Sequence, residues 1–328
     1  MDGSFQGVGV DDQLDALERR ALDESEVITS PFPSLNLQLH KGGLHGGTLV
    51  VLGGRMGTRK TAVILTWVIH SLRKGLPVGL LSLDESLEMY VSKLMSVMSQ
   101  RPSEWLEENW LSKPVRRIRE EYAELATNLT LSRGVRPTAI QLQEWLSDAE
   151  IERAVPRILF LDYVSLLVHY HGHENERILR LFEDLQVWTH DNDLVTVALH
   201  QAGRKDEGVT KKYHGDSPMT AEGLLYGGEQ QADVILATYR PALNQIGNMS
   251  REQAEMILGD TFDQEKWEDA RAMVRRYARS TFLQLLKNRP STKGTNFGGV
   301  ELISPNDSQF LQEHGEGVGN DAEWQGED

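Results

Sequence analysis

The chain has 328 residues, 39% hydrophobic and 7% aromatic, enough apolar content to bury a sizeable core and too much for wholesale disorder. Cysteine is absent, which excludes disulfides, thiolate metal sites and cysteine nucleophiles; no apolar run approaches the roughly 20 residues that cross a bilayer, and the first residues lack a signal pattern, so a cytoplasmic protein with no membrane partner is expected. The formal charge of -15 opposes a nucleic-acid partner by its sum but not by its distribution: residues 1–30 hold eight acids against Arg19 and Arg20, residues 305–328 hold seven acids and no Lys or Arg, and the core between them is close to neutral.

Residues 11–26 place Leu14, Leu17 and Leu22 among charged residues and predict a short amphipathic helix, ended by Pro31 and Pro33. Residues 48–52 (Thr-Leu-Val-Val-Leu) predict a buried strand, followed by a glycine-containing turn and a helix starting near Lys60. Residues 78–83 predict a second strand ending in Asp84 and Glu85, with a helix over 87–98. Residues 101–156 are rich in Glu, Arg and Trp at helical spacing, and strands are predicted at 157–162, 194–199, 234–238 and 282–286. Between them, residues 202–228 read as a long mobile loop, and residues 240–280 as a helical insertion with a capping box at Ser250 and Gln253 and a basic helix carrying Arg271, Arg275, Arg276 and Arg279. No internal repeat is present. Alternating strands and helices predict one α/β domain: a mostly parallel central sheet, helices on both faces, helical insertions, and a ligand at the carboxyl ends of the strands.

The turn at Gly54, Arg55, Met56, Gly57, Thr58, Arg59, Lys60 and Thr61 fits a phosphate-binding loop. Backbone N–H groups and a helix N-terminus face the phosphates, Lys60 takes the β/γ oxygens, and Thr61 holds magnesium. The usual pattern has glycine before the lysine, and Arg59 departs from it. Asp162, closing a strand, suits the second magnesium-side ligand; Asp84 or Glu85 suits the base that activates water; Gln201, at another strand end, suits a γ-phosphate sensor. A helix N-cap is the competing role for Asp84 and Asp162.

The order of these motifs resembles the RecA-like ATPase core of DnaB-type replicative helicases and their phage relatives, over residues 29–304. The resemblance is carried by the glycine-rich lead-in at 42–49, the phosphate loop, Ser82-Leu-Asp-Glu-Ser86, Asp162-Tyr163, His200-Gln-Ala-Gly-Arg204, Glu229-Gln-Gln-Ala-Asp-Val234 with Tyr239-Arg240, and Lys287-Asn-Arg289. It implies a RecA-like P-loop NTPase using ATP and Mg2+, with Asp84 at the catalytic acid's position and Glu85 as the alternative. It further implies that Lys287 and Arg289 reach the ATP of a neighbouring subunit in a homo-oligomeric ring, of hexameric type. Single-stranded DNA would run through central loops, for which Arg204, Lys205, Lys211 and Lys212 are the matching basic residues, and a primase or helicase loader would be the protein partner. The collar domain of the bacterial enzymes has no counterpart; the helix at 11–26 is the candidate for docking on the next subunit, and residues 305–328 are expected as an acidic disordered tail. A RecA-family ATPase that does not unwind DNA, of recombination or clock type, is the first alternative. A catalytically weak scaffold, suggested by Arg59 and by Asp84 in place of Glu, is the second.

Overall fold

The computed structural model describes residues 27–134, 141–142, 144–145, 155–164, 173–201, 215–224, 228–291 and 299–314. The helix expected at 11–26, the basic residues Arg204, Lys205, Lys211 and Lys212, and the tail from 315 onward lie outside them.

The described elements run α1 (Pro33–Gln38), β1 (Thr48–Gly54), α2 (Lys60–Arg73), β2 (Val78–Ser82), α3 (Leu87–Ser99), α4 (Ser103–Glu108), α5 (Lys113–Leu125), β3 (Leu129–Arg133), β4 (Ile158–Asp162), α6 (Glu174–Asp191), β5 (Val195–Gln201), β6 (Val234–Tyr239), α7 (Arg251–Leu258), α8 (Gln264–Arg276), β7 (Ser280–Asn288), β8 (Val300–Ile303) and β9 (Gln312–Glu313). The strands form one sheet in the order β3-β2-β4-β5-β1-β6-β7-β8-β9. From β3 to β6 it is parallel, and from β6 to β9 antiparallel. No helix among the described residues is long and apolar enough to cross a membrane.

Strand β1 sits between β5 and β6, and the pleat sends its side chains alternately to two cores. Val50 and Leu52 join the core beneath α2 and α3, where Trp67 meets the Phe160 ring edge-on at 6.0 Å and donates its indole N–H to the Thr29 carbonyl at 3.1 Å. Leu49 and Val51 join the core beneath α6, whose Ile178, Leu181, Phe182 and Leu185 recur at helical spacing. Burial on both faces explains why the parallel strands read as continuous apolar runs rather than alternating ones. Burying Trp67 alone contributes about 3 kcal/mol or more against an alanine.

The helices begin where the side-chain chemistry allows. Ser86 caps α3, Ser112 caps α5, Asp263 caps α8, and Ser250 with Gln253 closes the expected capping box on α7. Two expectations need correction. Within the stretch at 101–156 that reads as helical, Leu129–Arg133 forms the edge strand β3; only Leu129 of its residues is buried, so its one apolar face carries too short a signal. Residues 305–314, expected in the acidic tail, are folded: Leu311 is buried, and the buried Glu313 carboxylate accepts from the Ser34 N–H at 2.9 Å and its hydroxyl at 2.8 Å.

Candidate nucleotide site

The parallel strands deliver their last residues to one edge of the sheet. Register pairs Gly54 with Gln201 and with Thr238, and Ser82 with Asp162. Residues 55–59 turn between β1 and α2, and the turn is fixed from beneath. Thr58, buried, donates to the Arg55 carbonyl at 2.7 Å and shares a hydrogen bond with the Thr238 hydroxyl at 2.8 Å. A Cβ on Gly54 would lie 2.6 Å from that Thr238 oxygen and 2.7 Å from the Thr58 oxygen, so only glycine lets the strand end meet the turn. Arg240 clamps the turn from the side, donating to the carbonyls of Gly57 at 3.2 Å, Ala278 at 3.0 Å and Ser280 at 3.4 Å.

Helix α2, unlike α3, α5, α7 and α8, has no side-chain cap, and it has no acid in its first turn, which leaves its positive end directed at the cavity. Lys60, the first helical residue, folds back so that its ammonium donates to the carbonyls of Gly54 at 2.8 Å and Arg55 at 3.0 Å. Burial pulls its pKa down to about 8, against a partial restoring pull from Asp162, and Arg55 adds to the depression. A buried ammonium held only by loop carbonyls is a cation in want of an anion.

Asp162 is buried, and its Oδ2 accepts from the Thr61 hydroxyl at 3.0 Å and from the Tyr90 hydroxyl. Burial pushes its carboxyl above the usual range, while the two hydrogen bonds and Lys60 oppose that push. The same burial, reinforced by Asp162, drives the Tyr90 phenol upward, so it stays a donor. Glu85 is tied to Lys93, whose ammonium lies 2.6 Å from Oε1. Asp84 is exposed and makes no hydrogen bond or ion pair among the described residues; its charge, after burial, raises the neighbouring Tyr163.

Lys60, Thr61, Asp84, Glu85, Asp162 and Gln201 thus line one cavity of about 390 Å3, together with Met56, Gly57 and Arg59 of the turn. Lys287 and Arg289 are not brought there. They sit at the opposite edge, where Lys287 donates to the Glu229 carbonyl at 2.5 Å and Arg289 to the Gln230 carbonyl at 2.7 Å and Asp233 at 3.2 Å. A larger cavity of about 450 Å3 also opens at that far edge, lined by His40, His45, His190 and Asp233, away from the strand-end carboxylates. Sequence reasoning missed Tyr90, Tyr163 and Gln309 as cavity residues and gave Arg240 no role. Tyr90 lies in the first turn of α3 and Tyr163 just past the end of β4, where an aromatic residue reads as core. Gln309 lies in a segment expected as tail.

No group of three or more His, Asp or Glu among the described residues is placed to hold a metal alone. A magnesium ion suits this site all the same, because it takes one or two protein oxygens and completes its shell with water and phosphate. Thr61 and Asp162 would supply those oxygens.

A phosphate loop after the central strand, acids at neighbouring strand ends and helices on both faces define a RecA-like P-loop fold. Residues 28–263 match the DnaB-like helicase C terminal domain, and the chain belongs to that family. It is 24% identical over 251 residues to the replicative DNA helicase DnaB of Rickettsia prowazekii (strain Madrid E), covering 71% of this chain and 50% of that one. It is 25% identical over 231 residues to DnaB of Helicobacter pylori (strain ATCC 700392 / 26695), covering 67% of this chain and 46% of the other. The chain therefore spans about half the length of the curated relatives it matches. Among solved structures, one described as an ATPase domain superposes with a TM-score of 0.68 at 16% identity, over 94% of this chain and all (100%) of that one. A DnaB-like replicative helicase described with its interactions with primase gives 0.65 at 16% identity, over 94% and 67%. A KaiC-like protein from Pyrococcus horikoshii OT3 gives 0.53 at 13% identity, over 88% and 98%.

Proposed function

We propose that the chain is an ATP-driven DNA helicase motor that hydrolyses Mg·ATP and moves along single-stranded DNA as a homo-oligomeric, hexameric ring, in phage or plasmid DNA replication. The supporting observation is the division of the site residues between two edges of one sheet. Lys60, Thr61, Asp162, Asp84 and Gln201 surround the cavity at the carboxyl edge, and Lys287 and Arg289 lie at the other.

In this reading the turn amides and Lys60 bind the β- and γ-phosphates. Thr61 and Asp162 would hold magnesium, which supplies charge neutralisation at those phosphates. Asp84 is the better general base, since Glu85 is engaged by Lys93 and Asp84 is not. Gln201 senses the γ-phosphate from the end of β5. Lys287 and Arg289 act on the nucleotide of an adjacent copy and stabilise charge on the transferring phosphoryl group. Residues 202–228, with Arg204, Lys205, Lys211 and Lys212, are assigned to the DNA-facing loop, the helix at 11–26 to docking between subunits, and a primase or loader to partnership. Cytoplasmic location follows from that role.

The test is ATP hydrolysis by the purified chain with and without single-stranded DNA. Stimulation by DNA that Lys60→Ala abolishes supports the motor; hydrolysis that survives Lys60→Ala refutes the site. A second reading, a RecA-family ATPase without unwinding activity, is favoured by the likeness to the KaiC-like protein. Failure to separate a forked duplex, with hydrolysis intact, selects it.

A further inference from the structure

We propose that the Arg59 side chain is a nucleotide-binding group that contacts the α-phosphate, extending the phosphate loop toward the nucleoside with a cation carried by the loop itself. This rests on the reading of the cavity as a nucleoside triphosphate site.

The first observation is conformational. Arg59 is the N-cap of α2 with φ 63° and ψ 31°, a left-handed backbone that glycine adopts freely and that is strained for other residues. A long side chain kept at such a position points to a role that offsets the cost. The second is its hydrogen bonding. The Arg59 Nη1 atom is buried and has no hydrogen-bond partner among the described residues. A buried guanidinium nitrogen without an acceptor is destabilising, and a ligand oxygen would remove that cost.

The third observation is direction. Arg59 and Gln309 line the same cavity as Lys60 and Asp162. The charge that draws Arg59 is Asp307, on the turn preceding Gln309, whereas the charge that draws Lys60 is Asp162. Asp307 is itself paired with Arg279 at 3.3 Å, so it offers Arg59 a field and no bond. Arg59 in turn depresses Arg240, which is pulled to about 10 by burial first and by Arg59 second. The two guanidinium groups therefore lie within reach of each other's charge, and carbonyl oxygens satisfy Arg240, as they do Lys60, but not the Arg59 Nη1 atom.

The strand-end acids and Lys60 mark the β/γ end of a bound triphosphate. A cation one residue before Lys60, facing the turn at 305–309 instead of those acids, lies on the side of the α-phosphate and the nucleoside. Guanidinium is suited to the anionic part of that side because its fork of donors matches two phosphate oxygens.

The experiment is calorimetric titration of Mg·ATP and Mg·ADP into the full chain and into Arg59→Gly, with melting temperatures of both proteins. Losing one charge-assisted bond predicts that Arg59→Gly weakens ATP and ADP by the same factor, about tenfold. Glycine relieves the left-handed backbone, so the variant is expected to melt no lower than the parent, which separates weaker binding from poorer folding. Unchanged or tighter binding of both nucleotides overturns the proposal, and so does a loss confined to ATP, which would put Arg59 at the γ-phosphate. A parent chain that binds neither nucleotide fails the nucleotide-site reading itself, a different result from any of these.

Discussion

Replacing Tyr90 by Phe removes one hydroxyl from a fully buried side chain and leaves the ring in place. That hydroxyl donates to Asp162 Oδ2, and without it the buried carboxylate keeps only the Thr61 hydroxyl, at 3.0 Å, among the described residues. Hydrogen bonds to charged groups contribute about 1.5–3 kcal/mol, so Tyr90→Phe is expected to destabilise the chain by about 2 kcal/mol near neutral pH. The same bond lowers the Asp162 pKa against burial, which raises it. Its loss therefore moves that pKa further up. Because the folded carboxyl already titrates above its ordinary value, the folded state holds more protons than the unfolded chain in that window, and its ionised form is the strained one. The penalty of Tyr90→Phe is thus largest where Asp162 is ionised, and shrinks as acid protonates Asp162 in both proteins. Denaturant unfolding of the two proteins near neutral and at mildly acidic pH measures the difference, and the acid limb of the ATPase pH profile should shift to higher pH. An equal loss at both pH values, or an acid limb that does not move, refutes the reasoning.

Lys60, drawn down to about 8, should make nucleotide binding pH-dependent: Mg·ATP affinity holds below that pH and falls by up to about tenfold per unit above it, read by titration across the range. The sign for stability is opposite, since burying the charged ammonium is a cost below that pH that is relieved as the pH climbs through it toward 10.5, so the nucleotide-free chain should gain stability there. His70, pulled to about 4 by burial and then by Lys74 and Arg73, is neutral in the fold; its contribution is intact above 6.5 and lost as the pH falls toward 4, about 1 kcal/mol after allowance for its partial exposure. Acid unfolding of His70→Gln should show a shallower slope over that window. If Lys287 and Arg289 act between subunits as finger residues, Lys60→Ala and Arg289→Ala are each inactive alone, while their mixture recovers measurable ATPase, with the loss at Arg289 on the order of 10³-fold or more.

The strands that position the site were legible because each is buried on both faces, so the runs at 49–52, 158–161 and 234–237 are apolar without interruption and are followed by a glycine or a polar residue. The strands that escaped notice lie at or next to the two edges of the sheet. Residues of β3 beyond Leu129 are partly or fully exposed, and β8 and β9 are short, so none presents the pattern that a buried strand does. The direction of β7 was also out of reach: its apolar residues resemble those of a parallel strand, and only pairing with β6 shows it running the other way. Within the site, spacing sufficed for Lys60, Thr61 and Asp162 because they occupy fixed places relative to a strand end. Tyr90 could not be found that way, because the contact that matters joins positions 72 residues apart. The choice between Asp84 and Glu85 likewise depended on Lys93, two turns along α3, whose ammonium one acid captures and the other does not.

Because β7 runs antiparallel to β6, Lys287 and Arg289 lie at the far edge of the sheet. Thr238, near the end of β6, touches the phosphate loop through Thr58, and Val234, at its start, pairs with Asn288 between Lys287 and Arg289. Four residue steps along the strand separate the two ends, roughly 13 Å. Had β7 run parallel to β6, its last residues would have emerged beside the chain's own phosphate loop, and a finger acting within one chain would have been the simpler arrangement. Instead Asp233 fastens the far end: its carboxylate accepts from the Leu49 N–H at 3.0 Å and pairs with Arg289 at 3.2 Å, tying the start of β1 to the exit of β7. The same strand pair therefore carries the phosphate loop's support at one end and the two cations at the other. A spacer of that kind holds Lys287 and Arg289 away from the phosphate loop of their own chain and leaves half of the Arg289 side chain exposed, which is the geometry that the mixing experiment interrogates.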